Sequence, residues 1–547
     1  MESRALLAFL LSLGVFIAWG FLLAIINPPP EKPKLGSDVT VVPHQNQPAA
    51  GPGGITDLPT PIPLEPQTKA LSPIQQASPF AGKRTEVHAE NNIMSVLISN
   101  QGAVITNVFM KKFRNDDGSK IDLVNHTDGG MLPLTIVSNN PTINNILQNA
   151  FYQPSTESLL LEGTEDTGKV TLHLTHESGL EVTREFTFHQ DSYMIEVQTN
   201  ITGQQYASQN LHYMTLWGPG LGGSVSSHTD HFVFSGATTF INQERLETPE
   251  ESFSKQVEHK GKLEWTAFQN KYFAAALIPN YGIQSAVTLK ENNNIYVGLN
   301  FQTVQSSAST SHMLYIGTKE LLVLETMGHK LMRLMDYGWI GNKFAFLVKP
   351  LLKVLLYFHS LTGNYGWAII FLTIVIKILF FPLTHKSFKS MKGLQKIQPY
   401  VKVVQERNKD NRQKMNEELM DLYKKHKVNP LGGCLPMLLQ IPVFIALYHA
   451  LFFSIELRGA PFIGWITDLS VADPYYVTPV MMGATMFLQQ KMTPSAGDPM
   501  QQKIMMVLPI VFTFLFITFP AGLVIYWTIN NILTIAQQYY IYKILKD

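Results

Sequence analysis

The sequence has few of the residues that support covalent or metal chemistry. It contains one cysteine, Cys434, which excludes intrachain disulfides and cysteine metal clusters. It has no G-x-x-x-x-G-K-[ST] loop to hold ATP, and no arrangement of a nucleophile with a base. Its formal net charge of +1 at pH 7 gives no reason to expect a nucleic-acid partner. We therefore expect no cofactor, no metal, no catalytic residue and no enzyme activity.

Hydrophobicity is distributed unevenly along the chain. The mean hydropathy of +0.04 is the average of two unlike parts. Residues 85–325 are polar and alternate in the manner of β-strands, whereas the chain beyond about residue 350 is strongly apolar. This division predicts a soluble domain joined to a membrane domain.

The N-terminal part of the sequence predicts a membrane anchor followed by a linker. The apolar run 5–26 is long enough to cross a bilayer as a helix, so we expect residues 1–26 to form an uncleaved transmembrane anchor. Arg4 favours a cytosolic N-terminus. Residues 27–84 are rich in proline and poor in bulky apolar side chains, which predicts an extended periplasmic linker.

Residues 85–325 show the period of two that is typical of strands. Apolar residues alternate over 170–174, again over 180–182 after a short turn, and again over 193–201. The pattern predicts a large antiparallel β-sandwich across the membrane from the N-terminus. The glycine-rich stretch 217–230 is either a surface loop or the lining of a ligand cleft.

Five further apolar segments predict membrane spans: residues 367–383, 435–453, 475–488, 504–519 and 521–541. Lysine and arginine are concentrated in alternate loops, because residues 385–428 are strongly basic and residues 454–474 hold only Arg458. By the positive-inside rule this predicts six transmembrane helices, with both termini cytosolic and the large domain periplasmic.

Two helical segments flank the first of these spans. Residues 326–360 alternate apolar and basic residues, which predicts either interfacial amphipathic helices on the outer membrane face or a packed stalk between domains. Residues 385–428 repeat apolar residues at intervals of three or four on both sides of a polar break, "NKDN", and predict a cytosolic helical hairpin. Its basic face is either solvated near lipid or a docking surface for a ribosome or nascent chain.

One basic residue, Lys377, interrupts the span 367–383. A lysine at the bilayer centre costs at least about 2.5–3.5 kcal/mol on the insertion scale, and the predicted spans hold no carboxylate to pair with it. Uncharged polar residues that would together line a hydrated groove are Thr373, Gln440, Thr485, Gln489, Thr513, Thr528, Asn530, Asn531, Thr534 and Gln537. The alternative is that Lys377 extends along its helix to the cytosolic headgroups.

Three long segments carry a family resemblance: "NPLGGCLPMLLQIPVFIALYHAL", "DPYYVTPVMMGATMFLQQKM" and "DPMQQKIMMVLPIVFTFLFITFPAGLVIYW". They resemble the signature segments of the YidC/Oxa/Alb family of membrane protein insertases in its Gram-negative form. "LEWTAFQNKYFAAALIP" resembles the periplasmic domain of that family. The resemblance extends over nearly the whole chain.

The resemblance implies an ATP-independent insertase and chaperone of the bacterial inner membrane. Such a protein inserts, folds and assembles integral membrane proteins, alone or with the Sec translocon. Residues 361–547 would form its core, with five transmembrane helices around a hydrophilic groove, and the periplasmic domain would resemble a sugar-binding β-supersandwich. The implied partners are nascent membrane proteins and the lipid bilayer, together with the SecYEG translocon and the ribosome.

The resemblance also assigns positions to the groove. Lys377 stands where the family usually has arginine, so the charge is kept and the bidentate geometry is lost. The predicted client-binding groove comprises Lys377, Thr373, Gln440, Phe444, Met482 and Trp527. Two other functions remain compatible with the residues, a membrane-anchored periplasmic carbohydrate-binding protein and a solute transporter.

Overall fold

The computed structural model describes residues 82–115, 117–163, 165–203, 212–223, 234–248, 256–302, 307–335, 338–409, 411–426, 428, 435–493 and 499–544. The predicted anchor 1–26 and nearly all of the predicted linker lie outside these residues. The described part belongs to one compact unit that begins at Gly82.

The first half of the described chain is built of strands. In chain order they are β1 (Glu86–Glu90), β2 (Met94–Ser99), β3 (Val104–Arg114), β4 (Lys120–Asp122), β5 (Thr135–Ser138), β6 (Gln153–Pro154), β7 (Ser158–Leu160), β8 (Thr167–Thr175), β9 (Glu181–His189), β10 (Met194–Thr202), β11 (His212–Trp217), β12 (Gly236–Ile241), β13 (Glu244–Thr248), β14 (Val257–His259), β15 (Leu263–Gln269), β16 (Phe273–Tyr281), β17 (Ile283–Glu291), β18 (Asn294–Gln302) and β19 (Ser307–Thr318).

These strands form three sheets. Their orders are β4-β3-β2-β1-β7, β13-β12-β15-β16-β19-β10-β9-β8-β6 and β14-β17-β18-β11-β5. The described ladders are antiparallel apart from the pair β1–β7, which is parallel. The predicted antiparallel β-sandwich is therefore confirmed with one exception, which arises because β7 returns to β1 after a long connection through other elements.

The alternation in the sequence corresponds to burial in the sheets. Val170 and Leu172 of β8 and Val182 of β9 are fully buried, while their neighbours along each strand are more exposed. Side chains on a strand point alternately to its two faces, so one face of each strand packs into the core. The nine-stranded sheet gains its apolar interior in this way.

The second half is helical. Its helices, together with one helix inserted in the β-domain, are α1 (Pro141–Asn149), α2 (Leu321–Met327), α3 (Gly338–Thr362), α4 (Tyr365–Arg407), α5 (Arg412–Lys425), α6 (Leu435–Phe452), α7 (Val477–Met492), α8 (Pro499–Phe516) and α9 (Ala521–Tyr539). A 3₁₀ turn over Leu331–Leu334 follows α2. A single π-helical turn over Tyr540–Ile544 continues α9.

The first arm of the predicted hairpin is not a separate helix. α4 is 43 residues long and runs without a break from the predicted span 367–383 into the hairpin. Pro382 and Pro399 lie within it without ending it. The hairpin closes when α5 packs back, and its apolar seam consists of Leu394, Ile397, Val401, Leu419, Leu422, Tyr423 and Val428.

Most of the segment 326–360 belongs to one long helix, α3, which follows the 3₁₀ turn. α3 has 25 residues and packs on α6, with Val348 against Ala446 and Ala450. Two segments of the described chain are long and apolar enough to cross a membrane, Asn342–Thr362 and Tyr365–Arg407, whereas Gln440–Phe452 and Met505–Phe516 are apolar but shorter. The count of six transmembrane helices therefore stays a prediction.

The β-domain contacts the helices through a small polar junction. The Nζ atom of Lys271 lies 4.1 Å from the ring centroid of Phe452, at the end of α6. Beside it, a narrow cavity is lined in part by Lys319, His449 and Glu456. Burial, together with the nearby charge of Glu320, raises the pKa of Glu456 to about 7. The junction thus contains a carboxyl group that titrates near neutrality.

Candidate functional site

The polar residues predicted to line a groove are gathered mainly on α9. Asn530, Thr534 and Gln537 are three or four residues apart, so they share one face of the helix, and all three are buried. The Nε2 of Gln537 donates to Oγ1 of Thr384 on α4 at 2.7 Å. This face of α9 is therefore turned toward α4.

A second polar edge of α9 faces α7. The Nδ2 of Asn531 donates to Oγ1 of Thr485 at 3.3 Å. One heptad later, the Nε2 of Gln538 donates to Oγ1 of Thr493 at 3.1 Å, directly after the end of α7. Polar contacts thus join α9 to the helices on both sides of it.

Lys377 forms a hydrogen bond to the edge of α9 that faces α4. Its Nζ donates to Oγ1 of Thr534 at 2.7 Å, and the side chain is partly buried. The amine is thus engaged between α4 and α9 rather than extended along α4 toward the end of the predicted span. Within the described part of the chain no carboxylate pairs with it, so it has a hydrogen-bond acceptor but no counter-charge.

A small cavity lies beside Lys377. Its volume is about 30 Å³, which is enough for water molecules at a site with polar partners. The lining residues are Ile376, Lys377, Phe380, Thr384, Gln440, Val443, Tyr526 and Asn530. The structure thus brings Lys377 and Gln440 of the predicted site to one small cavity of mixed polarity with room for water.

The other predicted groove residues are packed. The rings of Phe444 and Trp527 meet edge to face, with centroids 4.7 Å apart, and both side chains are partly buried. Thr373 and Met482 are fully buried, and the Thr373 hydroxyl donates to the carbonyl of Ile369 in its own helix. Neither of these last two side chains is accessible from the surface in this structure.

Sequence reasoning missed the apolar lining residues of this cavity and two polar ones, Thr384 and Tyr526. Thr384 lies one residue beyond the predicted end of its span, yet it is seven residues after Lys377 and so falls on the same helix face. That spacing was sufficient to find it. Tyr526 lies in an apolar run, and no local pattern marks it as facing α4.

The outer surface of the helices is apolar and exposed. Ile378 and Leu379 of α4 are 67% and 71% exposed, and Phe514 of α8 is 70% exposed. An apolar surface of this kind is typical of contact with lipid. The polar cavity therefore lies between helices whose opposite sides suit hydrocarbon.

Of the glycine-rich stretch 217–230 in the β-domain, the structure describes residues 217–223. Trp217 is buried and its indole N–H donates to the carbonyl of Gly220 at 3.1 Å. Residues 224–230 lie outside the described residues, so the predicted cleft is untested. Among the residues that the structure describes, no three His, Cys, Asp or Glu side chains are grouped to hold a metal.

Comparison with known proteins assigns both halves of the chain. The family described as "YidC periplasmic domain" matches residues 86–354, and the family described as "60Kd inner membrane protein" matches residues 357–547. A membrane protein insertase YidC of Geobacter sulfurreducens is 38% identical, over 99% of this chain and 98% of the relative. One of Pelobacter propionicus is also 38% identical, over the full length of both.

A solved structure titled "Active YidC insertase crystal structure with the first transmembrane domain resolved" covers 84% of this chain and 93% of its own. It is 15% identical with a TM-score of 0.36, a value that supports no conclusion by itself.

The two family matches and the full-length relatives agree with the insertase predicted from the signature segments. They place a periplasmic β-sandwich before a helical C-terminal region in an inner-membrane protein, and nascent membrane proteins are the partners of that activity. The chain therefore belongs to the YidC family of membrane protein insertases.

Proposed function

We propose that insertion by this protein proceeds without ATP through the wet space between α4 and α9, and that Lys377 attracts the acidic hydrophilic part of a client. The observation that carries the proposal is the Lys377–Thr534 hydrogen bond, which positions an amine without a counter-charge beside a cavity with room for water. A cation in such a place favours an incoming carboxylate.

The attraction between Lys377 and a carboxylate of the client is strong enough to favour entry of an acidic segment and weak enough to allow its release. Two opposite charges about 4 Å apart gain roughly 4 kcal/mol at an effective dielectric constant of 20, and about 1 kcal/mol in water. A partly hydrated space lies between these limits. The client's apolar segment then leaves along the exposed apolar side of α4 and α8, where lipid replaces protein contacts.

Along the proposed client path, the six predicted residues fall into three pairs. Lys377 and Gln440 line the wet cavity and contact polar groups of the client. Phe444 and Trp527 form an apolar wall that its hydrophobic segment meets on the way to lipid. Thr373 and Met482 become accessible only when the helices separate, since both are fully buried in this structure.

We further propose six transmembrane helices with both termini in the cytosol. The domains are then an anchor at 1–26, a linker at 27–84, a periplasmic β-domain at 85–325, interfacial helix structure at 326–360 and the insertase core at 361–547. Support comes from the basic residues, which are concentrated in the segment 385–428 between the first two core spans. The basic hairpin of α4 and α5 is the proposed contact for the ribosome, and SecYEG is a proposed partner.

The test is insertion of one small client, with and without acidic residues in its translocated segment, by reconstituted protein. We expect Lys377→Arg to insert both client forms like the wild type, because the charge is retained. Lys377→Ala reduces insertion of the acidic form, and Lys377→Glu reduces it further because the charge is reversed. Protease protection of the translocated segment measures each outcome.

Lys386→Ala is the matched control, because Lys386 lies on the same helix but is exposed. It removes one positive charge without touching the cavity and leaves both client forms unaffected. Equal insertion of acidic and neutral clients by Lys377→Ala, at the wild-type level, would remove Lys377 from the mechanism.

A further inference from the structure

The β-domain contains a fully buried arginine. Arg184, on β9 of the nine-stranded sheet, has 0% of its surface exposed. Burial lowers its pKa to about 10, so the guanidinium is still charged at neutral pH. Among the described residues, the titratable groups that influence it are Tyr152, Tyr213 and His312, and no carboxylate pairs with it.

One end of the guanidinium is satisfied by the backbone. Its Nη1 donates to the carbonyl oxygens of Ala103 at 2.7 Å and Leu134 at 2.9 Å. Both residues have left-handed backbone conformations, with φ of 52° and 65°, which are unfavourable for side chains other than glycine. Arg184 thus holds two strained turns in place, and its orientation is determined by them.

The opposite edge of the guanidinium is unsatisfied. Within the described structure the Nε and Nη2 atoms of Arg184 are buried and lack hydrogen-bond partners. These two nitrogens present parallel N–H groups, the edge with which arginine binds carboxylates and phosphates in a bidentate manner. Charged N–H donors that are buried without an acceptor strongly destabilise the folded state.

Further unpaired groups belong to the same buried layer. Thr199 is directly opposite Arg184 in the β9–β10 ladder, so the two side chains are on the same face, and the Thr199 hydroxyl has no partner among the described residues. Thr199 is in turn opposite Thr310, and His312 lies two residues further along β19 on that face. The Nε2 of His312 is also buried without a partner within the described part.

Among the described residues, the groups around Arg184 do not neutralise its charge. Burial lowers the pKa of His312 to about 3, so its ring is uncharged, and burial raises the pKa of Tyr213 to about 12 and that of Tyr152 higher still, so both phenols keep their protons. Water molecules would accept the hydrogen bonds but would leave the positive charge in place. A monovalent anion satisfies both requirements.

We infer that the β-domain binds a small monovalent anion, chloride being the simplest, between the Nε–Nη2 edge of Arg184 and the hydroxyl of Thr199. The anion completes the hydrogen bonds of the arginine and cancels its charge. It therefore stabilises the core at the point where Arg184 anchors the turns at Ala103 and Leu134.

The test uses the full-length protein in detergent. Thermal unfolding of the β-domain is followed in mixtures of sodium chloride and sodium gluconate at constant ionic strength. Chloride is expected to raise the melting temperature in a saturable manner. In crystals grown with bromide, the anomalous signal is expected beside Arg184.

Thr199→Val is the decisive variant, because it keeps the shape of a β-branched side chain and removes one donor to the anion. It should weaken the apparent affinity for chloride on the order of tenfold, the loss expected for a hydrogen bond to a charged group. Thr266→Val is the matched control. Thr266 is equally buried and its hydroxyl bonds to Thr239, so this variant lowers stability at every chloride concentration alike.

Arg184→Met should abolish the chloride dependence if the variant folds; if it does not fold, Thr199→Val still decides the question. Water alone at the Arg184 edge in bromide crystals would overturn the inference. So would a bromide peak without any saturable effect of chloride on stability, which would mark an adventitious ion only.

Discussion

At the scale of single residues, the groove depends on how Lys377 is satisfied. Its partner is a neutral hydroxyl, so the amine is stabilised by a hydrogen bond while its charge remains available to a client. A carboxylate in place of Thr534 would satisfy the lysine better and would also remove its attraction for acidic segments. The absence of acidic residues from the predicted spans has this functional meaning.

Thr534→Val should therefore impair insertion without removing the charge. The variant takes away the acceptor at 2.7 Å, so the ammonium is less well positioned, and we expect insertion of an acidic client between the levels of the wild type and Lys377→Ala. Thr528→Val is the control, because the Thr528 hydroxyl donates to Val524 in its own helix. If both valine variants insert equally well, the Lys377–Thr534 bond has no role in insertion.

Glu456 predicts a pH effect at the junction between the β-domain and the helices. Its pKa in the folded protein is raised to about 7, chiefly by burial. Because the folded state then holds the proton more tightly, stability falls as the pH rises from about 4.5 through 7 and is constant above that. Glu456→Gln should melt at the same temperature as the wild type at pH 4, where the carboxyl is largely protonated in the folded and the unfolded state alike, and at a higher temperature at pH 8. A constant difference between the two proteins at every pH would contradict the assignment.

At the scale of elements, α9 and α4 have distinct tasks. α9 forms polar side-chain hydrogen bonds to α4 and to α7, so it supplies much of the polar surface between the helices. α4 lines the cavity beside Lys377 and continues without a break into the first arm of the hairpin. Lys377 and the first arm of the hairpin therefore belong to one uninterrupted helix.

The hairpin should depend on its apolar seam more than on its basic surface for its structure. Ile397 is 4% exposed and packs in the seam, whereas Val403 on the same helix is 52% exposed. Ile397→Asp buries a charge and should detach α5, with faster protease cleavage at residues 408–411 and reduced insertion. Val403→Asp adds the same charge on the outer face and should leave both unchanged. Equal protease resistance in the two variants would show that the seam does not hold the hairpin.

At the scale of the whole molecule, the β-domain and the hairpin are expected on opposite sides of the membrane. The segment 385–428 carries the basic residues that remain cytosolic, and the β-domain precedes the first core span. Protease added to intact spheroplasts should trim the β-domain and spare the hairpin, and lysis should expose the hairpin to cleavage as well. Cleavage of the hairpin in intact spheroplasts would reverse the proposed topology.

Local patterns in the sequence were enough to predict the elements. The alternation over 170–174 and 193–201 identified strands with the correct buried face, and the repeat around "NKDN" identified both arms of the hairpin. The polar residues of α9 were recognised for the same reason, because helical spacing is a property of neighbours along the chain. The ends of the helices were less accurate: α8 covers Pro499–Phe516 where hydropathy indicated 504–519.

Only the tertiary structure decided which groups meet. Lys377 and Thr534 are 157 residues apart, and their contact depends on the packing of α4 against α9, which no local period encodes. No pattern in the sequence singled out Arg184, yet the fold buries it completely, and no carboxylate of the described residues pairs with it. Which charges are buried, and which groups pair with them, depends on segments far apart in the chain that pack together. The sequence by itself therefore determined the family and its helices and strands. The fold determined where each charged side chain finds its hydrogen-bond partners.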